Sequence, residues 1–255
     1  MGSIATSVLG GIGNTPLVQL RRIVPRGAAR VVAKLEWANP TGSMKDRMAN
    51  AAVTRAELDG RLRPGGTVVE YTAGTTGVSL GLVCAAKRYG LEIVFSEAFS
   101  EEKRRTMQAF GARVTDVPSD NKKITEALIK GMINAAAEIS RRPGHWYCDQ
   151  LNNHDAIEGY IPLGEEIWQQ TDGRIDAFVH SVSTAHSIHG VTEALGATEE
   201  KSESLPSSLK NPRSSRESRL DRTRSKESAL DSSHRSGGLN WSMKFRPSLR
   251  VMQNR

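Results

Sequence analysis

The run Thr67-Val68-Val69-Glu70-Tyr71 passes without a break into Thr72-Ala73-Gly74-Thr75-Thr76-Gly77. Apolar residues at helical spacing follow over residues 78–89, up to Gly90. A β-branched run, a glycine turn and a helix in direct succession constrain the fold strongly, because the pattern repeats along the chain. Strands are expected at 17–20, 31–36, 67–71, 91–95, 112–117, 145–148 and 177–182. Helices are expected from the region of Lys45 to residue 58 and at 78–89, 100–110, 124–139 and 157–170. Strands that alternate with helices in this way predict an α/β fold with a parallel sheet.

Three of the turns between these elements carry chemistry. The first is Asn39-Pro40-Thr41-Gly42-Ser43-Met44-Lys45-Asp46-Arg47. Pro40 and Gly42 make a turn, and Thr41 or Ser43 can cap the helix that follows. Lys45 then stands at the positive end of a helix, which disfavours its ammonium and lowers its pKa. A lysine of this kind can form a Schiff base with a carbonyl compound. Taken alone, the segment also fits a solvated surface lysine.

The second turn is 72–77. Backbone N–H groups at such a helix start bind anions, and the hydroxyls of Thr72, Thr75 and Thr76 add donors. No Gly-Lys-Ser/Thr follows, so it is not a Walker loop, and Gly74, Gly77 and Gly81 do not have dinucleotide-fingerprint spacing. The third is Ser181-Val182-Ser183-Thr184-Ala185-His186-Ser187-Ile188-His189-Gly190. It follows a strand and could cradle a phosphate dianion at a helix start. His186 and His189 lack the spacing and the acidic or Cys partners of a metal pair, so they are expected on the helix surface and no metal is expected.

Charge divides the chain. The net charge is +7, and +6 of it falls in residues 196–255, where thirteen Lys+Arg face seven Asp+Glu. That segment is polar and serine-rich, and cannot bury enough apolar surface to fold alone. It is expected to be a disordered, solvated tail, with nucleic acid an unlikely partner despite its Arg/Ser content. Two cysteines, Cys84 and Cys148, give no disulfide framework and suggest a reducing, cytoplasmic setting. No apolar run reaches the length of a membrane span.

Gly13-Asn14-Thr15-Pro16-Leu17, the segment 40–47, the turn 72–77 and the segment 176–191 occur in the order seen in cysteine synthases. On these motifs the chain resembles the tryptophan-synthase-β-like, fold-type-II pyridoxal-phosphate enzymes over about residues 8–195. The resemblance implies two three-layer αβα lobes with mostly parallel sheets in residues 1–195. The small lobe would take about 46–150, and an incomplete large lobe 1–45 and 151–195.

It also implies roles. Lys45 would hold pyridoxal 5′-phosphate and act as the base at the α-carbon. Thr75 would touch the cofactor ring oxygen, and Ser183, Thr184, Ala185, His186 and Ser187 would hold its phosphate. Thr72, Ala73, Gly74, Thr76 and Gln150 would grip the carboxylate of a small amino-acid substrate. The implied reaction is replacement of the β-substituent of an O-activated serine by sulfur, giving cysteine, in a chain that could pair as a homodimer.

Two motifs depart from the family. The usual Thr-Ser-Gly-Asn-Thr-Gly has Ala73 and Thr75 in place of serine and asparagine. The usual Gly-Thr-Gly-Gly-Thr reads Ser183-Thr184-Ala185-His186-Ser187. The family pattern stops near Leu195, short of the C-terminal strands and the hydroxyl that faces the pyridine nitrogen. Weak or lost activity is therefore expected. The alternatives are a non-catalytic protein of the same fold that acts through partners, and a β-eliminating serine or threonine dehydratase.

Overall fold

A computed structural model describes residues 4–204 and 250–254. The elements run β1 (Leu17–Gln19), β2 (Val32–Lys34), α1 (Lys45–Leu58), β3 (Thr67–Tyr71), α2 (Thr75–Lys87) and β4 (Gly90–Phe95). They continue α3 (Glu101–Ala109), β5 (Arg113–Asp116), α4 (Glu126–Ser140), β6 (His145–Tyr147), α5 (Asp155–Glu158), α6 (Ile161–Gln170), β7 (Ala177–Ser181), α7 (His186–Ser204) and β8 (Arg250–Asn254).

β5, β4, β3 and β6 form one parallel sheet in that order. Side chains alternate across it, as strand geometry requires. Val68, Ile93 and Phe95 pack with α1 and α2 residues such as Ala52, Val53, Leu80 and Val83. Val69, Tyr71 and Val94 pack with Leu128, Met132, Ala136 and Ile139 of α4. Helices therefore cover both faces, which is why β3 and β4 are nearly continuous apolar runs. β1 and β2 pair antiparallel, and β7 pairs parallel with β8.

Three expectations of the sequence need adjusting. α2 opens at Thr75, three residues before its apolar spacing becomes visible, because Gly74 can adopt φ 143° there. The single helix expected over 157–170 is two helices, α5 and α6, separated by Gly159 and Tyr160, with Pro162 in the first turn of α6. The break lets Gly159 lie against α1, where a Cβ would come within 2.6 Å of the Arg47 carbonyl. The boundary drawn after residue 195 falls inside α7, which runs on to Ser204, and residues 250–254 form a strand. The rest of the expected tail, 205–249 and 255, lies outside the described residues.

One ion-pair network ties the N-terminal strands, α1 and α6 together. Arg47 donates from Nε to Glu36 at 2.7 Å and from Nη1 to Glu166 at 2.7 Å, with its side chain 3% exposed. Lys34 Nζ reaches the other Glu166 oxygen at 2.7 Å. Gly13 N donates to Asn39, and Asn14 N donates to Glu166. Burial opposes the charges on this cluster. Hydrogen bonds from Arg47 and Lys34 outweigh it and hold the Glu166 carboxyl down to about 2.

Arg47→Ala is expected to cost about 3–5 kcal/mol of unfolding free energy in urea titration, because it strands two part-buried carboxylates. Glu166 has a depressed folded-state pKa, so its contribution is present above the ordinary value of 4.5 and is lost as pH falls through about 2. The variant should lose the part of that acid dependence that Arg47 supplies, with Lys34 and the Asn14 amide keeping the rest.

Candidate functional site

The three chemical turns lie at the C-terminal ends of strands or at the helix starts that follow them. In open α/β sheets this edge is where ligands bind. The turn 72–76 follows β3, Gln150 follows the parallel strand β6, and 183–187 follows β7.

α1 begins at Lys45 itself. Ser43 Oγ accepts from Lys45 N at 3.0 Å, and the Asp46 carboxylate accepts from Thr41 N at 2.8 Å and from the Thr41 hydroxyl. The turn 41–46 is thus closed on itself, with Asp46 fully buried. This fixes Lys45, whose Nζ donates to Thr184 Oγ1 at 3.3 Å, 139 residues away in sequence. Burial lowers the Lys45 pKa. The direction is the one expected from the sequence, but the cause is desolvation rather than the helix start.

Thr184 and Ala185 form the step into α7. Ala185 takes a left-handed φ of 65°, a conformation that glycine adopts more easily. His186 opens α7 and is only 7% exposed, which corrects its expected place on the helix surface. Its Nδ1 is buried without a hydrogen-bond partner among the described residues. Burial, followed by the nearby Lys45 charge, pushes its pKa down to about 4, so it is neutral at pH 7. Ser187 is buried and Ser183 is exposed. Lys45, Thr184 and His186 therefore form one cluster, poor in negative charge, at a helix N-terminus. A phosphate dianion fits that donor set, and the orphaned imidazole nitrogen is a further candidate donor.

The turn 72–76 is held separately. Thr72 Oγ1 accepts from Gly74 N at 2.9 Å, and Val78 N bonds to the Gly74 carbonyl at 3.1 Å. Gly77 admits no side chain, since a Cβ would meet Met107 Sδ at 2.3 Å and Thr72 Cγ2 at 2.7 Å. Thr76 Oγ1 donates to Gln150 Oε1 at 2.6 Å, and Gln150 Nε2 donates to the Tyr71 carbonyl at 2.8 Å. Thr72, Thr76 and Gln150 are therefore brought together, with Gly74 buried beside them. Ala73 and Thr75 are exposed on the same turn. Thr41 Oγ1 and Ser79 Oγ, 3.3 Å apart, connect the lysine turn to α2.

Sequence reading passed over two buried charges, Arg47 and Glu70, and took Asp46 only as a neighbour in the lysine turn without its burial. The available signal was position. Arg47 and Asp46 sit in the first turn of an alanine-rich helix, and Glu70 interrupts a β-branched strand. Among the described residues no group of three His, Cys, Asp or Glu could hold a metal ion, and no helix is long and apolar enough to cross a membrane.

The chain is similar to known proteins over most of its length. Cysteine synthase of Staphylococcus aureus (strain N315) is 40% identical over 186 residues, covering 72% of this chain and 58% of that protein. Cysteine synthase B of Escherichia coli K12 is 40% identical over 182 residues, covering 71% and 58%. The chain thus spans a little under three fifths of the length of these relatives. Among solved structures, an O-ureido-L-serine synthase superposes with a TM-score of 0.71 at 32% identity, covering 78% of this chain and 61% of that one. Cysteine synthase from Entamoeba histolytica gives 0.67 at 33% identity, covering 77% and 58%. The sequence pattern of the family described as pyridoxal-phosphate dependent enzyme matches residues 8–233, and the chain belongs to that family.

Proposed function

We propose that this chain binds pyridoxal 5′-phosphate on Lys45 and uses it in β-replacement on an O-activated serine, with a sulfur nucleophile giving cysteine. The observation that carries the reading is the 3.3 Å contact between Lys45 Nζ and Thr184 Oγ1. It places a buried amine of lowered pKa beside an anion-suited helix start. The named cysteine synthases among its relatives support the choice of reaction.

The roles follow from chemistry. Burial lowers the Lys45 pKa, which favours the free amine that attacks a carbonyl carbon. Thr184, Ser187, Ser183 and the His186 ring would hold the phosphate, with the Ala185 backbone turning the chain toward it. Thr75 would reach the ring oxygen with its hydroxyl. Thr72, Thr76, Gln150 and the backbone of Ala73 and Gly74 would orient the substrate carboxylate. When bound, pyridoxal phosphate supplies an electron sink for the carbanion formed at the substrate α-carbon. The Lys45 amine would take the α-proton and later return it.

Added pyridoxal phosphate is expected to give the wild-type protein a visible absorbance band that Lys45→Ala lacks. Whatever turnover the chain retains in cysteine formation from O-acetylserine and sulfide should fall about 10²–10⁴-fold in Lys45→Ala, the usual range for a lost general base. A band or a rate indifferent to the substitution would contradict the assignment.

A further inference from the structure

Glu70 is fully buried in the strand that leads to the turn 72–76, and among the described residues its hydrogen-bond donors are two backbone N–H groups and the Cys148 thiol rather than a cation. Oε1 accepts from Tyr71 N at 2.9 Å, and Oε2 accepts from Gln150 N at 2.9 Å. The parallel ladder between β3 and β6 ends at Val69 and Tyr147, and Cys148 N still reaches the Val69 carbonyl at 2.9 Å. Past that point the two strands are joined by side chains. Glu70 takes the Gln150 amide, and the Gln150 side chain takes the Tyr71 carbonyl and the Thr76 hydroxyl. An apolar residue at 70 would fill the space and leave two buried N–H groups without acceptors.

We infer that Glu70 is the positioning residue for Gln150, clamping the segment 148–150 against the turn 72–76 and so setting the affinity for a ligand carboxylate. The inference rests on the proposed role of Thr72, Thr76 and Gln150 in gripping that group. A carboxyl surrounded by Asp149, Cys148, Tyr71 and Tyr147 is costly to keep inside a core. Burial first, then the Asp149 charge, pushes it up to about 8 against the pull of its two N–H donors and the Cys148 thiol. A side chain needed only for packing would not carry that cost.

The test uses the full chain loaded with pyridoxal phosphate, L-serine as the carboxylate probe, and amide hydrogen exchange. Glu70→Gln keeps the shape but turns an amide N–H₂ toward one of the two backbone donors. It should raise the L-serine dissociation constant about tenfold, the effect of one unmade buried hydrogen bond, and leave pyridoxal phosphate affinity unchanged. In a Gln150→Ala background the same substitution should add nothing, because the side chain it positions is gone. Equal losses in both backgrounds, or a matching loss of cofactor affinity, would overturn the inference in favour of general loosening.

Wild-type protein without cofactor gives an answer that needs no variant to fold. The Gln150 amide should be as protected as that of Tyr71. Exchange as fast as at exposed Leu151 would overturn the clamp. Protection of Gln150 without any L-serine binding would instead remove the proposed carboxylate role, and the inference with it.

Discussion

A single guanidinium, that of Arg47, holds the site's frame together. It is buried two residues beyond Lys45 and pairs with Glu36 on one side and Glu166 on the other. Glu36 lies between β2 and α1, and Glu166 lies in α6, so one side chain fixes α1 against both the N-terminal and the later elements. Lys34 and the amide of Asn14 complete the coordination of Glu166. Such clusters contribute little net stability, because desolvation offsets most of the attraction, but they penalise misplacement heavily. That penalty matters at Lys45. A shift of α1 by one turn would carry its amine about 5.4 Å away from Thr184.

Around that frame the chain handles three charges by three different means. Among the described residues Lys45 has no acidic partner, and it is desolvated, which favours the free amine. The start of α7 offers a left-handed step, hydroxyls and a neutral imidazole, which together suit a dianion. The turn after β3 offers a threonine hydroxyl and an amide side chain locked by Tyr71 and Thr76, which suit a carboxylate. A cofactor with one aldehyde and one phosphate, and a substrate with one carboxylate, would divide among these features without competing.

The order of strands and helices was legible because β-branched runs and glycine turns are local signals. Residues 67–71 and 91–95 read as strands and form β3 and β4. Helix ends were less legible. Gly74 begins α2 through a φ that no apolar pattern encodes, and the gap between α5 and α6 is set by how closely Gly159 approaches α1. At the site, Lys45 and Thr184 stood out through their turns, and Gln150 through the family resemblance. The burial of His186 did not, because a histidine at a helix start looks the same in sequence whether it faces water or core. Glu70 and Arg47 were missed for a related reason: their partners lie 80 and 119 residues away, and no local pattern announces a long-range pair.

The central claim is that Lys45 is the residue that captures the cofactor, and borohydride reduction of the protein mixed with pyridoxal phosphate, followed by peptide mapping, tests it most directly. The account predicts a phosphopyridoxyl mass on Lys45 at stoichiometric cofactor, with exposed lysines such as Lys130, 70% accessible, left unlabelled. Label spread over the lysines according to their exposure, with Lys45 unmodified, would contradict it.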